Sequence, residues 1–281
     1  MSLPLRIVDC ASESGLAALA SRVPKPDEAL EKSVAAIIQD VRTRGDEALL
    51  EIGQRFDSER LSSIKASDGG DPVEPSIETA YRRIFDFHLR QLEVLTASMQ
   101  KDGRGWRWQM SPDLLIGQRL LPLQSVGIYA PGGRASYPST VLMLAGPANA
   151  AGVDRVYLAT PAAPDGEVDK GVMGAARVAQ VSGAFKMGGA AAVAAFAFGT
   201  ETVPRVDKIV GPGNRFLNEA KRQLWGSIGV DGLYGPSEVC VVVDETSNAA
   251  FAAADLLTQI EHAPDNAGFL ISVSRSKLEE V

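Results

Sequence analysis

Residues 125–160 read SVGIYAPGGRASYPSTVLMLAGPANAAGVDRVYLAT and contain the pattern that decides the fold. A short apolar run at 126–129 is followed by a glycine-rich turn, a helical segment at 139–151 and a second apolar run at 155–160. Apolar runs separated by a helix of this length are typical of a strand–helix–strand unit, in which the two strands lie parallel. This stretch therefore predicts a parallel α/β sheet.

The alternation of strands and helices continues on the C-terminal side. Further strands are predicted at 184–187 and 206–210, and helices at 170–181, 190–198 and 215–225. Four parallel strands joined by right-handed helical crossovers indicate a Rossmann-like domain over residues 126–234. Residues 226–235 are rich in glycine and are interpreted as a connection.

The residues before this domain are predicted to be mostly helical. Apolar side chains at Leu30, Val34, Ile37, Ile38 and Val41 recur every three or four positions, which is typical of an amphipathic helix. Further helices are predicted at 46–56 and 77–99, followed by two short strands at 106–110 and 114–121.

A second strand–helix–strand pattern follows residue 235. Strands are predicted at 238–243 and 268–273, with a helix at 247–262 between them and the first turn of another helix at 277–281. A helix of under two turns buries too little surface to be stable alone, and the last strand lacks the crossover partner of a parallel sheet. We interpret the chain as an N-terminal fragment of a longer protein.

Together these patterns predict an α/β fold with two Rossmann-like parallel-sheet domains, the first discontinuous and incomplete, and an N-terminal helical segment. The predicted boundaries are 1–24 for the N-terminal segment, 25–125 plus 235–281 for the first Rossmann-like domain, and 126–234 for the second.

The composition of the chain argues against several classes of function. The net charge of −7 over 281 residues argues against nucleic-acid partners and anionic membrane surfaces, because both require clustered lysine and arginine. No apolar stretch reaches the roughly 18 residues of a membrane span, and the N-terminus lacks the pattern of a signal peptide. Of the two cysteines, Cys240 falls in an apolar run and is expected to be a buried, reduced thiol. A cytoplasmic location is expected.

Two glycine-rich turns follow predicted strands, at 129–133 and 211–214. Glycine lets a backbone approach a pyrophosphate, and the N-terminus of the following helix favours its charge. Neither turn matches the GxGxxG fingerprint of dinucleotide-binding folds. A tight strand-to-helix turn without a ligand explains each of them equally, and both interpretations stay open.

Three polar residues in the last quarter of the chain could contact a ligand. Ser237 follows a Gly-Pro pair and either presents its hydroxyl to a ligand or caps a turn. Gln259 and His262 are three positions apart on a predicted helix, so their side chains share a face and can converge with Ser237 on one cleft. They would supply at most half of a zinc site. The alternative for His262 is a histidine stabilised by the helix dipole, and His88 is interpreted as a core or partly buried residue.

The motifs taken together resemble the histidinol dehydrogenase family. The resemblance extends from residue 45 to the end of the chain. The stretches that carry it are 125–133 (SVGIYAPGG), 138–143 (PSTVLM), 206–214 (VDKIVGPGN), 219–222 (EAKR), 235–239 (GPSEV) and 255–262 (DLLTQIEH).

The resemblance implies a zinc-dependent oxidoreductase that converts the amino alcohol L-histidinol to L-histidine in two NAD-dependent steps of histidine biosynthesis. It implies that Tyr129 and Asn214 contact NAD, that Ser237 contacts the substrate, and that Gln259 and His262 bind both the zinc ion and the substrate. It also implies a homodimer. A catalytic Glu-His pair and two further zinc ligands are expected beyond Val281, so no catalytic residue is assigned in this chain, and the chain alone is expected to be inactive.

Two residues depart from the family pattern. Ala191 stands where many members have a glutamine near the nicotinamide cofactor, and Tyr234 stands where a small residue often precedes Gly-Pro-Ser. These two departures leave open a paralogue that oxidises another small polar alcohol. The interpretation of the chain as a fragment leaves open a third alternative, a non-catalytic remnant that binds a nucleotide or a partner chain.

Overall fold

The computed structural model describes Val8 and residues 27–67, 73–97, 105–132, 136–234, 237–261 and 266–281. Apart from Val8, the predicted N-terminal segment 1–24 lies outside the described residues, as does His262. Within the described ranges, no helix combines the length and apolar character needed to cross a bilayer.

Three helices precede the sheet: α1 (Glu28–Arg44), α2 (Asp46–Phe56) and α3 (Pro75–Ala97). Helix α1 begins where the Asp27 carboxylate accepts the Leu30 N–H at 3.0 Å, a side-chain cap for an otherwise unpaired donor. It ends at Gly45, whose φ of 54° favours glycine. The predicted apolar stripe is confirmed, since Val34 and Val41 are fully buried. His88, in α3, is only half-buried, and its Nδ1 lies 3.1 Å from the Gln91 amide oxygen.

Strands β1 (Gly105–Ser111) and β2 (Leu114–Arg119) confirm the two predicted short strands, and they pair as an antiparallel hairpin. The chain then alternates through β3 (Ser125–Tyr129), α4 (Pro138–Ala150), β4 (Arg155–Thr160), α5 (Lys170–Val178), β5 (Gly183–Lys186), α6 (Gly189–Phe198), β6 (Lys208–Val210), α7 (Arg215–Gln223) and β7 (Gly229–Val230). These five strands form one parallel sheet in the order β5-β4-β3-β6-β7, which confirms the predicted Rossmann-like architecture.

Strand β7 was not predicted, because residues 226–235 were interpreted as a connection. The strand has only two residues, one of them Gly229, so its local pattern carries little strand signal. Gly229 pairs with Lys208, and Val230 pairs with Ile209 of β6. Pairing with an existing sheet edge, rather than local preference, produces this strand.

Helices cover both faces of the five-stranded sheet. One apolar cluster joins α1 and α2 to α6 and α7, and a second joins β3 and β4 to α4 and α5, with α3 packed on its outside. Helix α6 is apolar all round and is buried from Ala190 to Ala197, as expected of a core helix. Gly127 has no room for a β-carbon, which would lie 2.5 Å from the Phe196 ring.

The last described elements form a separate layer of β8 (Glu238–Val243), α8 (Ala249–Ile260), β9 (Ala267–Ser272) and α9 (Arg275–Glu280). Strands β8 and β9 are parallel, as predicted, and α8 is the crossover between them. The expectation of a buried Cys240 is wrong: the thiol is exposed. Val239, Val241 and Val243 lie on the covered face of β8, and the alternation of side chains places Cys240 on the other face, which no described element covers.

Candidate functional site at the carboxyl edge of the sheet

The order of the strands locates a candidate ligand-binding crevice. From β3 the chain adds β4 and β5 on one side and then returns to add β6 and β7 on the other. In open parallel sheets, ligands bind outside the carboxyl ends of the strands at the point where the order reverses. Here that point lies between the end of β3, at Tyr129, and the end of β6, at Val210. Both glycine-rich turns singled out in the sequence follow these two strand ends.

The two turns lie against each other. Gly211 has a φ of +127°, and a β-carbon there would lie 3.0 Å from Leu144 Cδ1 and 3.1 Å from the Tyr129 backbone nitrogen. Only glycine adopts this conformation without strain and allows this approach. The glycine-rich character of the second turn therefore brings its backbone onto Tyr129.

Tyr129 connects the end of β3 to the start of α6. Its side chain is 4% exposed, and its hydroxyl accepts the Gly189 N–H at 3.1 Å. Burial raises the pKa of Tyr129 to about 12, so the hydroxyl keeps its proton at neutral pH. The residue can offer a ligand a neutral hydroxyl or ring edge, not a phenolate.

Asn214 caps the N-terminus of α7. Its side-chain oxygen accepts the N–H groups of Phe216 and Leu217 at 3.0 and 3.1 Å. The residue is exposed, so a ligand can reach the turn that it ends. Capping explains why an asparagine stands here, and it also holds the first turn of α7 in place beside the crevice.

A buried ion pair, which the sequence did not reveal, holds the Gly211 turn. The Lys221 ammonium is fully buried and donates to the Gly211 carbonyl at 2.6 Å and to the Asp231 carboxylate at 2.7 Å. The other Asp231 oxygen accepts the Gly211 N–H at 2.8 Å. Burial lowers the pKa of Lys221, and the hydrogen bond with Asp231 opposes that shift. Lys221 shares the apolar helix face of Leu217, Ala220 and Leu224, a signal that could have identified it as buried.

Asn218 ties the same turn to the segment that leads toward Ser237. Its amide group donates to the Gly213 carbonyl at 3.3 Å and to the Tyr234 carbonyl. Its side-chain oxygen is buried and has no hydrogen-bond partner in the described part of the chain. The Tyr234 ring lies 5.7 Å from Lys221 Nζ and is half exposed. An unpaired buried acceptor next to an accessible turn is compatible with a bound ligand that donates to it.

Asn266 brings Ser237 and Gln259 together. Its side-chain oxygen accepts the Ser237 N–H at 3.0 Å, and its amide donates to the Gln259 carbonyl at 2.9 Å. A single side chain therefore bridges the start of β8 and the end of α8. Sequence reasoning did not single out Asn266, because its partners lie 29 and 7 positions away. Ser237 is exposed and Gln259 is half-buried.

The predicted cofactors fit the described residues to different degrees. A dinucleotide fits the crevice, where a closely approaching glycine turn, a helix N-terminus and an unpaired acceptor lie together. In the described ranges, no group of three or more His, Cys, Asp and Glu side chains could hold a metal ion. Gln259 is the predicted zinc ligand that falls within them, so these residues by themselves do not form a zinc site.

The two departures from the family pattern lie in different environments. Ala191 is buried in the first turn of α6 and belongs to the apolar cluster that includes Phe196. Tyr234 is half exposed, and its ring lies near the Lys221 ammonium.

Comparison with known proteins supplies the family context. Residues 20–281 match the family model described as histidinol dehydrogenase. The chain is 42% identical to the histidinol dehydrogenase of Geobacter sulfurreducens, over 99% of this chain and 65% of that protein. It is also 42% identical to that of Methanosarcina mazei, over 89% of this chain and 58% of that protein.

A solved structure agrees with this match. The crystal structure of histidinol dehydrogenase from Elizabethkingia anophelis superimposes with a TM-score of 0.77 at 30% identity, covering 96% of this chain and 62% of that one. The chain therefore spans less than two-thirds of the length of these relatives.

Proposed function

This chain belongs to the histidinol dehydrogenase family, and from that premise we propose that it is part of an oxidoreductase of histidine biosynthesis that oxidises L-histidinol to L-histidine in two NAD-dependent steps. The proposal rests on one observation, the crevice at the point where the strand order of the sheet reverses. There the Gly211 turn packs against Tyr129 and is held by the buried Lys221–Asp231 pair.

We assign the dinucleotide to this crevice. The approach of Gly211 to Tyr129 and the N-terminus of α7 provide the close backbone and the positive end of a helix that a pyrophosphate requires. Tyr129 contributes a protonated hydroxyl, and Asn214 contributes an exposed polar side chain. The ion pair keeps the turn in one conformation, so binding does not have to order it first.

We assign the amino alcohol to the end of the C-terminal layer that carries Ser237 and Gln259, with His262, which lies outside the described residues, as a further predicted contact. Asn266 supports this assignment, since it holds the backbones of Ser237 and Gln259 together. Gln259 and His262 would hold zinc, which would bind the amino and hydroxyl groups of the substrate and polarise the hydroxyl. We assign no general acid or base to the described residues. Family membership also leads us to propose a homodimer and a cytoplasmic location.

The decisive experiment is a spectrophotometric assay of NADH formation with the complete, zinc-loaded gene product and L-histidinol. The proposal predicts histidinol-dependent NADH at about two equivalents per substrate, because an alcohol becomes an acid through an aldehyde in two hydride transfers. A Lys277→Met variant, changed in α9 and not in a residue assigned to either site, is the matched control and should retain the activity. No NADH from soluble, zinc-loaded protein would exclude this substrate.

A second candidate is a paralogue that oxidises a different small polar alcohol. Two observations favour it: Ala191 lies at the start of the helix that Tyr129 contacts, and the half-exposed Tyr234 stands three positions before Ser237 in the chain. A panel of small diols and amino alcohols in the same assay separates the two functions. NAD binding without oxidation of any panel member would instead favour the non-catalytic remnant.

A further inference from the structure

The carboxylate of Asp57 lies at the same edge of the sheet, although its residue belongs to none of the sheet's strands. Asp57 ends helix α2. A β-carbon built on Gly188 would lie 3.1 Å from both Asp57 carboxylate oxygens and 3.3 Å from Pro161 Cγ. Pro161 directly follows β4, and Gly188 lies between β5 and α6. The absence of a side chain at Gly188 is what lets the carboxylate reach these strand ends.

This carboxylate has no partner in the described part of the chain. Its oxygens accept no hydrogen bond and form no ion pair there. Asp57 is half-buried, and burial raises its pKa to about 6. An ionised carboxylate that is partly removed from water and left unpaired destabilises a protein. Such a group at a ligand-binding edge is typical of a functional site.

The groups around Asp57 leave it free to accept hydrogen bonds. Tyr129, from β3, is the titratable side chain whose pKa responds to its charge, and that hydroxyl is neutral. Pro161 and Gly188, from the ends of β4 and β5, carry no ionisable group. Lys186 lies two residues before Gly188, but its ammonium donates to the Gly166 carbonyl and to Glu167. Within the described ranges, no cation neutralises the carboxylate.

Dinucleotide-binding sheets use an acidic side chain at one particular place. A carboxylate near the end of the second strand accepts the ribose hydroxyls of NAD and disfavours the 2′-phosphate of NADP. In this sheet the second strand is β4, which ends in Thr160, followed by Pro161, Ala162 and Ala163, and none of these is acidic. Asp57 lies beside Pro161, at the position where the acidic side chain of other dinucleotide-binding sheets is found. It reaches this position from the end of a helix outside the sheet.

We propose that the Asp57 carboxylate accepts hydrogen bonds from the adenosine ribose hydroxyls of the dinucleotide and thereby selects NAD over NADP. The inference rests on the assignment of a dinucleotide to the crevice and adds a specificity-determining residue to it. The 2′-phosphate of NADP would lie against a negative charge that no cation of the described residues compensates, so like-charge repulsion would exclude it.

The test is calorimetric titration of the complete, zinc-loaded gene product with NAD and with NADP, so that binding is measured without reference to the alcohol. Asp57→Asn keeps the size of the side chain and removes its charge. Loss of charge-assisted hydrogen bonds should weaken NAD binding by about 10-fold or more, and the NADP-to-NAD affinity ratio should rise by about 10- to 100-fold. Asp57→Glu should retain part of the preference for NAD. Glu59→Gln, two residues away and exposed, is the matched control and should change neither quantity.

The pH dependence provides a readout that a purely structural role would not produce. Wild-type affinity for NAD should increase as pH rises through about 6, because the carboxylate accepts hydrogen bonds best when ionised. The Asn variant should show no such step.

Four outcomes separate the claims. Equal NADP-to-NAD ratios in wild type and Asp57→Asn would overturn the inference while leaving NAD binding intact. A variant that merely misfolds would bind fewer equivalents at an unchanged ratio, which would also count against it. Wild-type protein that does not bind NAD would overturn both the cofactor assignment and the inference. An Asp57-dependent preference for NAD without oxidation of histidinol would remove only the proposed substrate.

Discussion

The five-stranded sheet and the β8–β9 layer are built from the same kind of sequence but reach different degrees of burial. Val126, Gly127 and Ile128 in β3 are all buried, because α1–α7 supply a layer on each face of the sheet. In β8, Val243 is buried but Val242 is 74% exposed, and in β9 Ile271 is 50% exposed. The sequence of an apolar strand shows which residues can be buried. Which of them are actually buried depends on the layers that pack around the strand. This contrast can be tested with matched substitutions in the two regions.

The largest difference in unfolding free energy is expected between an aromatic residue packed on the five-stranded sheet and one in the β8–β9 layer. Phe196→Ala removes a fully buried ring that packs on Gly127 and Phe185, and should lower the free energy of unfolding by about 3–5 kcal/mol. Phe251→Ala, in α8, removes a ring that is 73% exposed and should change it by less than about 0.5 kcal/mol. Chemical denaturation of each variant gives the two values. Equal losses of stability would mean that the surrounding elements bury the two regions to the same degree.

A smaller difference in stability is expected between substitutions of one lysine in each region. Lys221→Met leaves Asp231 without its buried partner and should lower stability by about 3 kcal/mol. It should also weaken NAD binding, because the Gly211 turn loses its anchor. Lys277→Met, in α9, removes a buried lysine that donates to the Ser247 carbonyl and pairs with exposed Glu280. Because Glu280 remains solvated, the loss should be smaller, about 1 kcal/mol.

Denaturation and NAD titration of the two lysine variants test this contrast. Replacing Asp231 as well, in a Lys221→Met/Asp231→Asn variant, should recover part of the lost stability, since no unpaired charge remains. If the double variant is less stable than Lys221→Met alone, the ion pair does not act as described.

Asp57 and Asp244 should give stability changes of opposite sign with pH. The pKa of Asp57 is raised from 3.8 to about 6 in the folded chain, so its contribution to stability is present below pH 3.8 and is lost as pH rises through about 6. Asp57→Asn should therefore be more stable than wild type at pH 7.5, by about 2–3 kcal/mol, and equal to it near pH 4.

Asp244 shows the reverse because hydrogen bonds from Thr246 and Ser247 lower its pKa. Its contribution is present above its unfolded pKa and is lost as pH falls through the folded one. Asp244→Asn should be less stable than wild type at pH 7.5 and equal to it in acid. Denaturation curves at three pH values test both signs, and changes of the same sign in the two variants would contradict the assignment.

The smallest effect is expected inside the C-terminal layer. Asn266→Ala removes the hydrogen bonds that hold Ser237 to the end of α8, and should cost about 1 kcal/mol of local stability. Hydrogen exchange of the Ser237 amide should then become faster. Asn248→Ala removes the cap at the other end of α8 and is the control, since it should leave that amide protected. Unchanged exchange in Asn266→Ala would mean that the bridge does not order Ser237.

Strands and helices whose pattern is local were predicted correctly from the sequence. Strands β3 to β6 and helices α4 to α7 lie where their apolar runs and periodicity placed them, with ends shifted by a few residues. Strand β7 was missed and the burial of Cys240 was wrong, since the first depends on a neighbouring strand and the second on a covering layer. Tyr129 and Asn214 were assigned through the family resemblance, and their contact with NAD stays a prediction. Lys221, Asp231 and Asn266 were not identified, because their partners become neighbours only in the folded chain.

The order of strands and helices, the glycine turns and the family were determined by the sequence alone, because each depends on residues that are close in the chain. The tertiary structure decided three further points: the reversal of strand order that forms the crevice, the ion pair that holds its turn, and the arrival of Asp57 from a helix outside the sheet. Each of these depends on contacts between distant segments, and local preference carries no information about such contacts.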